Sequence, residues 1–219
     1  MDTLNLFNQY DKDTIKILFE DYRLLKCHYE CAMLEISTKL DILNQEFEHR
    51  HSRNPIHNIE KRLKTLPSIS EKLARLNLPI SVESATSNLY DIAGIRVVCP
   101  YLNDVYILFD MLTKQDDINV IRVRDYIKQP KENGYRSLHV IIEIPVYFSK
   151  EKKLIPVEVQ IRTIAMDFWA SLEHISRYKK GINAPQKLHN ALFNAAERIA
   201  ELDMDMQDIH NQMIELAKE

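Results

Sequence analysis

Glycine is scarce, with three in 219 residues. Neither G-x-x-x-x-G-K-[ST] nor G-x-G-x-x-G occurs. A P-loop and a Rossmann or kinase glycine loop are therefore excluded. Cysteine is as rare: Cys27, Cys31 and Cys99. An odd count without a secretory signal argues against a disulfide framework and for reduced thiols in a cytoplasm. Cys27 and Cys31 stand four apart on one helical face, and with His28 they form a minor zinc candidate. The segment MDTLNLFNQYDKD lacks an apolar h-region, so no signal peptide is expected. No apolar run approaches the ~18 residues of a membrane span. An excess of positive charge is missing too. Lys+Arg is 29 against 32 Asp+Glu, a net charge of -3. No overall field draws in nucleic acid, and an anion site must be a local cluster.

What is present is ordinary for a globular chain: 45% hydrophobic and 28% charged residues. Residues 11–50 contain no Gly or Pro. Ile15, Leu18, Tyr22, Leu25, Tyr29, Ala32 and Ile36 recur at steps of three and four, the seam of a helix. Asn54-Pro55 breaks it. Residues 56–76 read as a short strand followed by a helix capped by Ser68 or Ser70, with Ser68 to Glu71 in capping-box form. Strands follow at 92–99, 119–126, 137–145 and 155–162. In the last, Val157, Val159 and Ile161 alternate with Glu158, Gln160 and Arg162. Asn103 or Asp104 is expected to cap the helix after the first of these, and Thr163 a helix over 164–178. From Leu188 to Leu216 a heptad spacing runs through Leu192, Ala195, Ile199, Leu202, Met206, Ile209 and Met213. It suits packing on the N-terminal helix or a subunit interface. The expected fold is α+β: a mixed sheet of four to five strands flanked by helices, with the long N- and C-terminal helices forming a hairpin or bundle.

Four segments hold polar groups that a core does not need. Arg62, Lys64 and Lys72 make a basic patch beside a helix N-terminus. In YDIAGIRVV, Asp91 opens a strand holding Arg96. Strict alternation sets these two on opposite faces unless Gly94 hosts a bulge. An Asp there suits a magnesium ligand. In IRVRDYIKQPKENGYRSLH, Arg122 and Arg124 share a face, and Lys131, Arg136 and His139 surround the Asn133-Gly134 turn. Gly134 lets the chain approach a ligand, and Tyr135 offers a stacking plate. In VEVQIRT, Glu158, Gln160 and Arg162 share a face, with Glu158 a candidate base or second metal ligand. Two carboxylates among phosphate-binding cations are the chemistry of magnesium-dependent phosphoryl transfer to a hydroxyl. The blander readings are a solvated charged loop and basic surface faces.

Taken in order, YDIAGIRVV (90–98), ENGYRSLH (132–139), VEVQIRT (157–163) and AMDFWASLEH (165–174) resemble the synthetase domain of the RelA/SpoT family, over roughly residues 50 to 180. The chain's length resembles the small alarmone synthetases. The resemblance implies a nucleotidyltransferase-like fold. It also implies transfer of the β,γ-pyrophosphate of ATP to the ribose 3′-hydroxyl of GDP or GTP, giving AMP and ppGpp or pppGpp, the signals of the stringent response. By that resemblance Asp91 binds Mg²⁺, while Glu158 activates the hydroxyl and shares the metal. Arg62 and Arg96 sandwich adenine; Lys64, Ser68 and Lys72 take the ATP phosphates. Tyr135 stacks on guanine, Asp167 accepts from the guanine N–H edge, and Arg124, Lys131, His139 and Gln160 hold the phosphates and ribose of the guanine nucleotide. RVRD at 122–125 matches the basic variant of a family motif, with Arg124 in place of Lys, and Asp167 stands where some relatives carry Asn. No His-Asp dipeptide occurs, so the hydrolase activity of long relatives is not expected. The resemblance further implies a homotetramer. The expected division is an N-terminal helical region at 1–50, a core at 51–180 and an oligomerisation helix at 181–219, in one compact domain overall. Weak single-stranded RNA binding is compatible with the basic loops. Transfer of a nucleoside monophosphate shares the same carboxylate logic.

Overall fold

The computed structural model describes residues 12–51, 53–178 and 186–217. Side chains at 12–19 and 175–178 lie outside that description. Ile15 and Leu18 of the seam and the boundary drawn at 180/181 thus lie outside the described residues. In chain order the elements are α1 (Lys12–His51), β1 (Asn58–Leu63), α2 (Leu66–Arg75), α3 (Val82–Asn88), β2 (Ala93–Cys99), α4 (Leu102–Thr113), β3 (Asn119–Asp125), β4 (Leu138–Tyr147), β5 (Lys152–Thr163), α5 (Ile164–Tyr178) and α6 (Gln186–Leu216).

The sheet has five strands in the order β1-β2-β5-β4-β3. Among the described residues β2 and β5 pair in parallel and the other neighbours are antiparallel. Alternation decides which side is covered. Val157, Val159 and Ile161 are each 0% exposed. They share one apolar cluster with Val140 and Ile142 of β4, Leu25, Tyr29, Ala32 and Ile36 of α1, Leu73 of α2, Ala85 of α3 and Leu108 of α4. Each such aliphatic side chain contributes about 1.5–3 kcal/mol. The helices through α4 therefore cover one face. The opposite face carries the polar partners of the alternation and is free to hold a ligand. Pro145 and Pro156 sit in β4 and β5 beyond the reach of the flanking β3 and β2 ladders, so neither removes a hydrogen bond that a neighbour needs.

Several expectations are corrected. The capping-box reading at Ser68 fails, because α2 begins earlier: Thr65 is its cap and accepts from the Ser68 N–H at 3.4 Å, with Pro67 in the first turn. Neither Asn103 nor Asp104 caps α4. Asp104 is fully buried and takes a two-pronged ion pair from Arg53 at 2.8 and 2.7 Å, a tertiary demand that outweighs a local cap. Gly94 hosts no bulge. Its pairing is regular on both sides, and Asp91 precedes the strand, so strand alternation does not govern it. The register irregularity lies instead between Val120 and Arg122. The short helix α3, capped by Ser81, has no counterpart in the sequence reading. Thr163 does cap α5, accepting from the Met166 N–H at 3.1 Å.

The terminal helices do not form a hairpin. α6 packs on α5 and α4, whereas α1 lies across the sheet. The residues that α6 buries are small or polar, with Ile199 partly buried against Trp169 beside them. Ala196 is buried, Asp203 accepts from the Thr163 hydroxyl at 2.5 Å, and Gln207 accepts from the Asn103 N–H at 2.8 Å. Most of the heptad seam faces outward: Leu202, Met206, Ile209, Met213 and Leu216 are all exposed.

Candidate functional site

The open face is organised as two transverse rows. Register aligns Arg62, Gly94, Glu158, Ile141 and Arg122 in one row. It aligns Glu60, Arg96, Gln160, His139 and Arg124 in the next. Five strands thus bring together residues from all four of the singled-out segments. Gly94 matters here by what it leaves out. A Cβ at this position would meet only Arg62 O at 3.6 Å and Glu158 O at 3.9 Å, ordinary contacts. A side chain would fit against the protein, but it would fill the cleft floor between Arg62 and Glu158.

One end of the cleft centres on Asp91. Its Oδ2 receives Lys72 Nζ at 2.6 Å and Lys64 Nζ at 3.0 Å. Burial opposes the charge on Asp91, but the two ammonium groups outweigh it and hold the carboxyl below its ordinary range. Its other oxygen, Oδ1, is buried without a hydrogen-bond partner. An orphaned carboxylate oxygen beside a second carboxylate suits a hard cation. Glu158 is that second carboxylate; it lines the same cleft and feels the charge of Asp91. Burial again opposes ionisation. Hydrogen bonding and charge from His139, with Gln160 assisting, still lower the Glu158 pKa. Glu158 Oε1 is 3.2 Å from His139 Nδ1, and Oε2 accepts from Gln160 Nε2 at 2.9 Å. No group of three or more His, Cys, Asp or Glu side chains suited to a metal is found among the described residues. The set present, two carboxylates, matches a cation that completes its shell with phosphate oxygens and water.

The other end is built around Tyr135. Its hydroxyl lies 2.8 Å from His139 Nε2 and accepts from Arg162 Nη2 at 2.5 Å. Lys131 Nζ sits 4.6 Å from the ring centroids of both Tyr126 and Tyr135. Arg124 donates to the Tyr126 hydroxyl at 3.4 Å. Asp167 accepts from Arg162 at 3.1 Å and lies 3.5 Å from Arg96, so it links the two ends.

Gly134 does not serve as expected. It has φ +85, which suits glycine, and its N–H closes the turn onto Lys131 O at 2.8 Å. Yet it is buried, and the close approach it permits is to α6: a Cβ would lie 2.5 Å from Ala196 Cβ. Arg136 reinforces this contact, reaching Glu197 at 2.9 Å and Ala196 O at 3.5 Å. The loop under Tyr135 is therefore clamped to the C-terminal helix.

The structure brings Arg62, Lys64, Lys72, Asp91, Arg96, Glu158 and Gln160 to one cleft or its wall. Tyr135, Lys131, His139, Arg124 and Asp167 lie along its continuation. Ser68 is in the first turn of α2, where its hydroxyl accepts from Thr65 at 3.1 Å. Sequence reasoning missed Tyr126, for which no pattern signals a role. It placed Arg162 on the right face without giving it one. Cys27 is exposed, Cys31 half-buried and Cys99 buried, all as free thiols. His28 packs against Phe148 at 4.7 Å between ring centroids.

Residues 61–183 match the family described as a region found in RelA / SpoT proteins. The chain is 39% identical over 201 residues to the GTP pyrophosphokinase YwaC of Bacillus subtilis (strain 168), covering 92% of this chain and 96% of that protein. The crystal structure of small alarmone synthetase 1 from Bacillus subtilis, bound to its product pppGpp, superposes with a TM-score of 0.80 at 34% identity, over 88% of this chain and 98% of that one. Small alarmone synthetase 2 from the same organism gives a TM-score of 0.80 at 38% identity, over 88% and 99%. With a family match spanning both carboxylates and the Tyr135 loop, and these likenesses across nearly the whole fold, the chain belongs to the RelA/SpoT family.

Proposed function

We propose that the chain is a (p)ppGpp synthetase that moves the β,γ-pyrophosphate of ATP onto the 3′-hydroxyl of GDP or GTP. The bond between the α-phosphorus and the bridging oxygen stays with AMP. The bond between that oxygen and the β-phosphorus breaks, and the acceptor oxygen takes its place on the β-phosphorus. The hydroxyl proton passes to a base. One observation carries the reading: two ionised carboxylates, Asp91 and Glu158, face one cleft between a cationic wall and an aromatic platform.

The cationic wall is the donor side. Arg62 and Arg96, neighbours in adjacent rows on β1 and β2, offer two planar cations for the adenine ring. Lys64 and Lys72 hold the ATP phosphates, with the Ser68 hydroxyl at the first turn of α2 beside them. When ATP arrives, its phosphates compete with Asp91 for both ammonium groups. Asp91 Oδ1, already without a partner, is then the oxygen offered to Mg²⁺, with Glu158 beside it. Bound Mg²⁺ would supply charge neutralisation on the transferring group. On the acceptor side, Tyr135 stacks on guanine, Asp167 accepts from its N–H edge, and Arg124, Lys131, His139 and Gln160 hold phosphates and ribose. Glu158 is ionised at neutral pH and so accepts the 3′-hydroxyl proton.

We further infer a homotetramer, as the family resemblance implies, and assign its interface to the outward seam of α6, because an apolar row of that length needs a partner. A cytoplasmic setting is our reading, supported by the free thiols; among the described residues no helix is long and apolar enough to cross a membrane. Single-stranded RNA binds weakly if at all, given the net charge of -3. The test is product analysis with ATP, Mg²⁺ and either GDP or GTP. The reading expects AMP and a guanosine pyrophosphate in equal amounts, both abolished in Glu158→Gln. Release of inorganic pyrophosphate in place of AMP would assign transfer of a nucleoside monophosphate instead.

A further inference from the structure

Arg162 is 4% exposed, yet it is charged and lies on the polar face of β5. Burying a guanidinium is costly unless its donors are met, and here they are met by the acceptor side of the cleft. Nε donates to Ser137 Oγ at 3.4 Å and Nη1 to Asp167 Oδ1 at 3.1 Å. Nη2 is shared between the Tyr135 hydroxyl at 2.5 Å and Gln160 Oε1 at 2.9 Å. Two hydrogen-bonded routes then leave Arg162 and meet at Glu158. One runs through the Tyr135 hydroxyl and His139 to Oε1, at 2.8 and 3.2 Å. The other runs through Gln160 to Oε2 at 2.9 Å. Each oxygen of the base is thus held by a chain anchored on one buried cation.

We propose that Arg162 is the positioning residue of the acceptor half: its fork fixes the stacking plate Tyr135, the guanine-edge acceptor Asp167 and both oxygens of Glu158 in one register. This rests on the synthetase reading above. Arg162 touches neither nucleotide directly. It sets the distance between the surface that holds guanine and the base that takes the 3′ proton, and an error of about 1 Å in such a distance costs on the order of a hundredfold in rate. A lysine cannot substitute, since a single ammonium lacks the planar fork that spans Ser137, Asp167, Tyr135 and Gln160.

The test uses Arg162→Met and Arg162→Lys in the full chain, with binding of GDP and of a non-hydrolysable ATP analogue measured by calorimetry beside kcat. The expected result is GDP affinity weakened about tenfold or more and kcat lowered at least as much, with the ATP analogue bound within twofold of wild type. Lys does not rescue. A general loosening of the fold would weaken both nucleotides alike, and that outcome overturns the proposal, as does unchanged GDP binding. Ser137→Ala gives an independent arm should the Arg162 variants not fold. It removes one partner of the guanidinium and touches no proposed nucleotide contact. A several-fold loss of GDP affinity alone supports the role; equal effects on both nucleotides, or none, refute it. A wild-type protein that makes no product from ATP and GDP would sink the synthetase reading itself. Wild-type activity with fully active Arg162 variants would sink only this inference.

Discussion

Replacing Gly134 by alanine tests how the acceptor loop is held. Two costs follow from the structure. The backbone sits at φ +85, where an L side chain costs about 1–2 kcal/mol. The new methyl would also stand 2.5 Å from Ala196 Cβ, against a comfortable carbon separation of about 3.5–4.0 Å. Overpacking of that kind costs about 1–3 kcal/mol. The sum, about 2–5 kcal/mol, falls on the turn that carries Tyr135. Relief comes from swinging the loop off α6, which moves the stacking plate. Steady-state kinetics should show the KM for GDP raised about tenfold or more and the KM for ATP within twofold. Ala196→Gly in the Gly134→Ala background removes the facing methyl. It should restore the steric share of the loss but not the backbone share, less about 1 kcal/mol for a glycine within a helix. A Gly134→Ala protein with wild-type melting temperature and wild-type GDP affinity would refute the clamp.

Gly94→Val suits a strand and its Cβ meets only ordinary contacts, so melting should hold within a few degrees while ATP-analogue binding falls at least tenfold; retained binding would show that the cleft floor takes no nucleotide. Lys72→Met leaves Asp91 less neutralised, so metal titrated without nucleotide should bind several-fold more tightly by calorimetry; unchanged affinity would mean that the ammonium does not compete with the metal. Glu158 is held below its ordinary range when folded, so it stabilises the fold fully above the unfolded carboxylate value of about 4.3. That contribution fades as pH falls through the lower folded value. Melting of Glu158→Gln should therefore fall less steeply than wild type over the acid range below about pH 4, and parallel curves would contradict the shift. Met206→Glu with Met213→Glu places charges on the outward face of α6 and should lower the mass seen by light scattering without unfolding the monomer; an unchanged mass would move the interface elsewhere.

Much of the site was legible because strand alternation is local. Glu158, Gln160 and Arg162 declared their face through Val157, Val159 and Ile161. The fold then needed only register to bring Arg96 and His139 alongside Gln160. Local signals failed where the partner is distant in sequence. Gly134 read as room for a ligand because Ala196, its actual neighbour, lies on another helix. Asp104 read as a cap because nothing nearby announces Arg53. Arg162 read as one more polar residue, since its partners Ser137, Tyr135 and Asp167 are gathered only by folding. The heptad row was visible, but α6 buries Ala196, Asp203 and Gln207 instead, a face whose small and hydrogen-bonding residues carry no apolar period.

The central claim is transfer of a pyrophosphoryl group from ATP to a guanine nucleotide's 3′ oxygen, and the fate of labelled phosphate tests it most directly. With ATP labelled at the β position, GDP and Mg²⁺, the account predicts that label passes to a guanosine product as unlabelled AMP accumulates in equal amount, and that Glu158→Gln abolishes both. Label recovered as inorganic pyrophosphate or retained in ADP, with no labelled guanosine product, would contradict it.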